Sequence, residues 1–105
     1  MKKNKYTAII KLDKMLTENN IPHYMMQHLD GYIVEYYTPS GIRRGDAIEH
    51  QCSYGHKYDL LEVAGFGLSE PKANVSVEEA FNMFKTLHEE VMKNERKKSY
   101  ENQRY

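Results

Sequence analysis

The densest group of chemically reactive side chains lies between residues 46 and 62 of this 105-residue chain. The group contains carboxylates, histidines, a cysteine, a serine and a tyrosine, namely Asp46, Glu49, His50, Cys52, Ser53, Tyr54, His56, Asp59 and Glu62. Side chains of these types act as metal ligands, as general acids and bases, and as nucleophiles. Four interpretations of the group therefore have to be compared.

The first interpretation is a metal site. The spacing His50-x-Cys52-x3-His56 offers three nitrogen or sulfur ligands, and Asp46 or Glu49 would complete the coordination. Structural zinc sites usually repeat paired Cys or His ligands at closer spacings, and this pattern does not match them. We therefore expect no metal and no cofactor, and we keep His50, Cys52 and His56 only as candidate ligands.

The second interpretation is a metal-dependent nuclease or hydrolase, in which carboxylates near a sheet bind Mg²⁺ and activate water. Its candidate catalytic residues are Asp46, Glu49, His50, Asp59 and Glu62. A nuclease of this kind usually has a lysine two residues after such a carboxylate, whereas Glu62 is followed by Val63 and Ala64.

The third interpretation is nucleophilic catalysis, with Cys52 or Ser53 beside His50 or His56. The chain contains no nucleophile-elbow motif, and Cys–His pairs arise by chance in a sequence with five histidines. Whether the protein is an enzyme is therefore uncertain, and the sequence favours a non-enzymatic role.

The fourth interpretation, which we favour, is structural. The segment Ser53-Tyr54-Gly55 is typical of a tight turn, because the serine hydroxyl can bind backbone groups and glycine accepts positive φ. Asp46 and Glu49 are then solvated strand residues. Such a loop remains available to contact a partner.

Tyrosine usage points towards binding rather than catalysis. The chain has nine Tyr, three Phe and no Trp, and Tyr combines a large apolar ring with a polar tip that suits sheet rims and binding surfaces. An arginine pair beside a turn adds charge that can contact phosphate or stay solvated. The candidate binding residues are Tyr32, Tyr37, Arg43, Arg44, Ser53, Tyr54, His56 and Tyr58.

Composition excludes several classes. Fifteen basic and fifteen acidic residues give zero net charge, whereas a general nucleic-acid binder usually carries a basic surplus. A single cysteine, Cys52, excludes an internal disulfide. No apolar run approaches the roughly 20 residues that cross a bilayer, and the first one is too short for a signal peptide. We expect a cytoplasmic protein without membrane contact.

The elements that position these residues follow from periodicity and turn signals. Apolar residues at helical spacing predict a helix over residues 6–19. Strands are predicted at 23–28 and 32–37, joined by a two-residue Asp30-Gly31 turn, and a third at 43–52. The turn predicts that Gln27 pairs with Val34.

The second half of the chain is predicted with less regular structure until its last helix. Asp59–Val63 is interpreted as a fourth strand or a helical turn, and residues 67–75 as a polar connection. The capping box of Ser76 and Glu79 begins an apolar stripe that ends by Met92. Residues 94–105 contain no aliphatic side chain and are expected to form a frayed or disordered tail.

The predicted fold class is therefore α+β, with the order α-β-β-β-(β)-α. We expect an antiparallel meander with both helices packed on one face, because that arrangement buries both apolar stripes. One domain spans residues 6–93, and the polar tail occupies 94–105.

Several segments together resemble small uncharacterised proteins of phages and prophages of Gram-positive bacteria. They are Asp30-Gly31-Tyr32, Tyr37, Pro39, Asp46-Ala47-Ile48-Glu49-His50, Ser53-Tyr54-Gly55, Asp59-Leu60-Leu61-Glu62, Gly65 and Val77-Glu78-Glu79-Ala80-Phe81. The resemblance covers roughly residues 8–92 and implies an accessory protein of a mobile element. It brings no catalytic role with it.

The leading functional hypothesis is a non-catalytic binding module that engages a protein partner, for which the resemblance suggests a host defence enzyme. The alternatives are the metal-dependent nuclease or hydrolase and a nucleic-acid-binding domain. Against the last, the final helix begins Val77-Glu78-Glu79 rather than with lysines aimed at phosphates. A homodimer is left open by the sequence.

Overall fold

The computed structural model describes the backbone of residues 6–102 and the side chains of residues 6–96. A 3-10 turn, His56–Tyr58, lies between the third and fourth strands. The helices and strands are α1 (Thr7–Glu18), β1 (Tyr24–His28), β2 (Gly31–Tyr37), β3 (Arg43–Glu49), β4 (Leu61–Gly65), β5 (Lys72–Val75) and α2 (Val77–Asn102).

The five strands form one antiparallel sheet in the order β1-β2-β3-β4-β5, so each strand pairs with its neighbour in sequence. Val34 in β2 lies opposite Ala47 in β3, which lies opposite Val63 in β4. All three are fully buried. Because side chains alternate between the two faces of a strand, this row identifies the covered face of the sheet.

Both helices pack on that face. Ile9, Leu12 and Leu16 of α1 and Phe84 and Val91 of α2 belong to the same buried cluster as the apolar residues of the sheet. Their helical spacing is the one that the sequence showed, and each apolar stripe is buried against the sheet and the other helix. The predicted α+β meander with two helices on one face is confirmed, and the opposite face is called the helix-free face below.

The first hairpin turns one position earlier than predicted. Leu29 and Asp30 form its turn and His28 pairs with Gly31, so the predicted Asp30-Gly31 turn was wrong. Position 31 requires glycine because the backbone of β3 approaches it closely, and not because it adopts a positive φ. A Cβ at this position would lie 2.0 Å from the backbone oxygen of Glu49. The neighbouring strand therefore sets the identity of this residue.

The earlier turn changes the pairing of β1 but not its faces. Gln27 pairs with Tyr32 instead of the predicted Val34, and an even shift leaves every side chain on the expected side. All five residues of β1 are exposed, because the helices pack mainly over β2, β3 and β4.

The structure adds one strand and shortens another. The predicted strand 43–52 ends at Glu49, and the ambiguous Asp59–Val63 segment becomes the strand Leu61–Gly65. The prediction of a polar connection over residues 67–75 was wrong in its last part, which is β5. That strand escaped detection because it is an edge strand whose first three residues are exposed and lack an apolar alternation.

The last helix begins where predicted and continues further. The Ser76 hydroxyl oxygen accepts a hydrogen bond from the Glu79 backbone N–H at 3.1 Å, while the Glu79 carboxylate pairs with Lys72 at 2.5 Å. α2 then runs to Asn102, past residue 93, where the predicted domain ended. Residues 94–102 of the expected tail are thus helical, because they are mostly good helix formers, and residues 103–105 lie outside the described residues.

The 26-residue length of α2 corresponds to about 39 Å at 1.5 Å per residue. The seven residues of β2 span only about 24 Å. The helix therefore projects beyond the sheet that its first half covers, and the chain measures 60 × 30 × 21 Å along its principal axes.

Candidate functional site

The five candidate catalytic residues do not share one centre. Asp46 and Glu62 lie on the helix-free face with His50, whereas Glu49 and Asp59 lie at the first turn of α1. Alternation along β3 causes the division, because Asp46 and Glu49 are an odd number of residues apart and point to opposite faces. The geometry thus gives two separate acidic groups instead of one reaction centre.

The first acidic group binds the start of α1. Asp59 Oδ1 accepts hydrogen bonds from the backbone N–H groups of Thr7 at 3.0 Å and Ala8 at 2.9 Å, and its other oxygen accepts one from the Thr7 hydroxyl. Glu49 Oε1 accepts from the Ile9 N–H at 3.0 Å. A helix leaves its first backbone N–H groups without partners inside the helix. Here the carboxyl groups of Glu49 and Asp59, which are distant from α1 in sequence, accept hydrogen bonds from these N–H groups.

Glu49 carries a proton in this arrangement. The residue is fully buried, and among the described residues no donor reaches its Oε2. Burial, together with the adjacent Asp59 carboxyl, raises the pKa of Glu49 to about 8. At neutral pH the protonated form of Glu49 is therefore favoured. The prediction that Glu49 is a solvated strand residue was wrong.

Asp59 is the ionised partner of this pair. Its partial burial acts to raise the pKa, but the neighbouring Glu49 side chain and hydrogen bonds from Thr7 and Ala8 outweigh that effect and lower the pKa of Asp59. The two carboxyl groups share one negative charge at the helix N-terminus, where the helix dipole stabilises it. Their role in the described structure is to hold α1 against the sheet.

The second acidic group surrounds Arg43 on the helix-free face. The guanidinium lies 2.7 Å from Glu35 Oε2 and 2.5 Å from Asp46 Oδ2. Burial raises the pKa of Asp46 although Arg43 opposes this. An irregularity in pairing between Tyr36 and Tyr37 brings Arg43 to this face. The charge of Arg43 is thus engaged within the protein, although both Arg43 and Arg44 are exposed.

His50 and its neighbours form a local network without a nucleophile–base pair. The His50 Nδ1 atom accepts a hydrogen bond from the Cys52 backbone N–H at 3.0 Å. The buried Ser53 hydroxyl bonds to the His50 backbone N–H and C=O, at 3.0 and 2.9 Å. Burial and the nearby His28 ring, 5.0 Å away between centroids, lower the pKa of His50. These contacts fit the structural interpretation of the segment.

The candidate metal ligands His50, Cys52 and His56 are not brought together. Within the described residues, no group of three or more His, Cys, Asp or Glu side chains is arranged to hold a metal ion. His56 begins the 3-10 turn, and Cys52 is exposed.

The loop between β3 and β4 presents two tyrosines on a well-bonded backbone. Tyr54 and Tyr58 are 73% and 79% exposed. The Tyr54 N–H donates to Glu62 Oε1 at 3.1 Å, and the Leu60 N–H donates to the Gly55 carbonyl at 3.0 Å. Gly55 adopts φ +96°, as the glycine in the predicted turn requires. The loop surrounds a depression of about 270 Å³.

The remaining predicted tyrosines lie on different faces. Tyr37 is on the helix-free face, where its ring meets that of Tyr24 edge-to-face at 5.3 Å between centroids. Tyr32 is on the covered face, half-buried against the core. Sequence reasoning missed Tyr24 and Leu29, which are 62% and 55% exposed, and the nearby Met26 is 49% exposed. The feature of the sequence that could have indicated these exposed side chains is a strand without charged residues that leads directly into a turn.

The chain matches no protein-family model, no curated protein and no solved structure. Over the part of the chain that is described, no helix is both long and apolar enough to span a membrane.

Proposed function

We propose that the protein is a non-catalytic binding module that engages a protein partner. Its contact region, which we call the tyrosine surface, consists of Tyr24, Leu29, Tyr37, Tyr54 and Tyr58. The observation that carries the proposal is the exposure of large apolar side chains in the first hairpin and in the β3–β4 loop.

Leu29 and the loop tyrosines are connected at one end of the sheet, whereas Tyr24 and Tyr37 lie together at the other end of the first hairpin. Asp30 in the hairpin turn accepts a hydrogen bond from the Gln51 N–H of the loop at 2.8 Å, and it also accepts one from the Tyr6 hydroxyl at 2.5 Å. A partner that contacts Leu29 can therefore reach the loop tyrosines without rearrangement of the backbone.

The tyrosine surface has the physical properties of a protein interface. Tyr side chains contribute large contact areas with only two rotatable bonds, and they are enriched among the residues that dominate binding energy. The backbone bonds to Glu62 Oε1 and to the Gly55 carbonyl hold the loop in place before binding. A loop that is already ordered loses less conformational entropy when a partner binds.

Charge favours a protein partner over a nucleic acid. The chain is neutral overall, and the Arg43 guanidinium is paired with Glu35 and Asp46. A nucleic-acid interface needs unpaired basic groups that displace counterions from phosphates. The resemblance to phage and prophage proteins suggests a partner in the bacterial host, such as a defence enzyme.

Photocrosslinking tests this proposal. We would replace Tyr54 with a benzophenone amino acid, and in a matched control replace Ile42, which is 59% exposed outside the tyrosine surface. In lysate from Gram-positive cells we expect a specific adduct from position 54 and none from position 42. Substitution of Tyr58→Ala should reduce the adduct at least about tenfold.

Two results would overturn the proposal. One is the absence of any specific adduct from position 54 under several growth conditions. The other is an equal yield from positions 54 and 42, because that pattern describes nonspecific contact with the whole surface.

A further inference from the structure

The two edges of the sheet differ in how well they are protected against pairing. At β5, Lys72 adds a charge, Pro71 precedes the strand and Asn74 has φ +55°. The pairing of β5 with β4 is also irregular. Charges, prolines and irregular pairing are the features with which edge strands avoid association.

β1 has neither a charged residue nor irregular pairing, and its nearest proline, Pro22, lies two residues before the strand. Its sequence Tyr-Met-Met-Gln-His carries no Lys, Arg, Asp, Glu or Pro, and all five residues are exposed. Its pairing with β2 is regular from Tyr24 to His28. A flat, uncharged edge strand of this kind is a template for another strand.

The backbone groups available at this edge belong to two residues. His28 and Gly31 close the two-residue turn, and such a closing pair exchanges hydrogen bonds with its partner strand. Bonded and non-bonded pairs alternate from there along an antiparallel ladder. The N–H and C=O groups of Met25 and Gln27 therefore point away from β2, and no backbone group of the described residues pairs with them.

We propose that β1 pairs antiparallel with β1 of a second copy of this chain, around a twofold axis at Met26. Met25 of one copy then lies opposite Gln27 of the other, so the available backbone groups bond to each other. Tyr24 lies opposite His28, and Met26 lies opposite its own equivalent. Every residue of the strand gains a partner.

Charge and side-chain pattern both support a second copy as the occupant. A strand without formal charge pairs with itself without placing like charges opposite each other. On the helix-free face, Met26 pairs with Ile33, which pairs with Ile48. Pairing at Met26 joins this apolar row to the same row of the second copy and buries the exposed Met26 side chain. The two five-stranded sheets become one continuous sheet.

This proposal shares Tyr24 with the tyrosine surface, but it depends on the backbone groups of β1 and the Met26 side chain and not on the loop tyrosines. The two proposals can be distinguished by experiment. Dimerisation without a crosslinked adduct from the loop would support only the dimer, and an adduct from a monomeric chain would support only the tyrosine surface. Since a five-residue strand pair buries a small interface, we expect a dissociation constant on the order of 10 μM.

Sedimentation equilibrium from about 1 μM to about 500 μM tests the dimer. The wild type should shift from monomer to dimer across this range. Met26→Lys and Met26→Glu each place like charges opposite each other and should weaken dimerisation at least about tenfold. An equimolar mixture of the two variants should restore association, because the charges are then opposite. Ile42→Lys, the matched control, should dimerise like the wild type.

A further variant distinguishes the loss of edge pairing from the loss of the fold. Gln27→Pro removes an N–H that faces away from β2, so the hairpin is retained while the edge can no longer donate there. Circular dichroism confirms the fold of each variant. The proposal is overturned if the wild type stays monomeric at the highest concentration, if the Met26 variants dimerise normally, or if mixing them restores nothing.

Discussion

Replacing Glu49 with Gln should remove most of the pH dependence of stability that this buried carboxyl imposes. Gln has nearly the shape of a protonated Glu and is uncharged like it, so its oxygen can still accept from the Ile9 N–H. The substitution therefore keeps the contacts of the first turn of α1 and removes only the titration.

The direction in which stability changes with pH follows from the pKa of Glu49 in the folded and unfolded states. A glutamate in the unfolded chain ionises near 4.5, whereas in the folded protein its pKa is raised to about 8. Between these pH values the folded state holds one more proton than the unfolded state. The free energy of unfolding therefore falls as the pH rises from 4.5 to 8, and this contribution is constant above the folded pKa.

The size of the pKa shift of Glu49 sets an upper limit on the change in the free energy of unfolding. One pKa unit corresponds to about 1.4 kcal/mol, so a rise from 4.5 to about 8 gives an upper limit of roughly 5 kcal/mol. Local opening of the first turn of α1 lets ionised Glu49 reach water and reduces the cost. We expect the free energy of unfolding of the variant, relative to that of the wild type, to rise by about 2–4 kcal/mol as the pH increases from about 5 to about 9.

Urea unfolding followed by circular dichroism at each pH measures this difference. Comparison of the variant with the wild type cancels the titration of the histidines. Glu18→Gln, the same change at an exposed position of α1, should alter stability by less than about 0.5 kcal/mol at every pH. A constant difference between Glu49→Gln and wild type across the pH range would refute the reasoning, because it would mean that Glu49 does not retain its proton.

Three further substitutions test other contacts by urea unfolding. Gly31→Ala should cost more than about 3 kcal/mol, since its Cβ meets backbone that cannot move aside; a loss below about 1 kcal/mol would contradict the close approach. Arg43→Met should cost about 1–3 kcal/mol at pH 7 and less at pH 4, because burial raises the pKa of Asp46 and favours its protonation as the pH falls; an equal loss at both values would argue against the ion pair with Asp46. Tyr36→Phe should cost about 1 kcal/mol through the hydrogen bond to His88 Nδ1 at 2.9 Å, and an unchanged stability would show that this bond contributes nothing.

The helices and the central strands could be predicted because their burial is periodic. The stripe from Ile9 to Leu16 and the capping signal of Ser76 are local patterns, and both appear in the structure. β5 could not be predicted in the same way. It is held by pairing with β4 and not by apolar alternation of its own, so the information lies in the neighbouring strand.

The candidate site was predicted as a set of residues but not as an arrangement. The sequence indicated that residues 46–62 are unusual, yet it could not show that Glu49 points inward while Asp46 points outward. That choice depends on which face the helices cover. The role of Gly31 was missed for a similar reason, since only the nearby Glu49 backbone excludes a side chain there.

The projecting half of α2 also affects how the protein behaves in hydrodynamic experiments. A compact chain of this size has a radius of gyration of about 13 Å, whereas the value here is 15.2 Å. The extra length increases friction, so a single copy will elute from a sizing column ahead of spherical standards of equal mass. Elution volume alone would then be mistaken for self-association, and light scattering, which reads mass directly, is the appropriate detector for such a column.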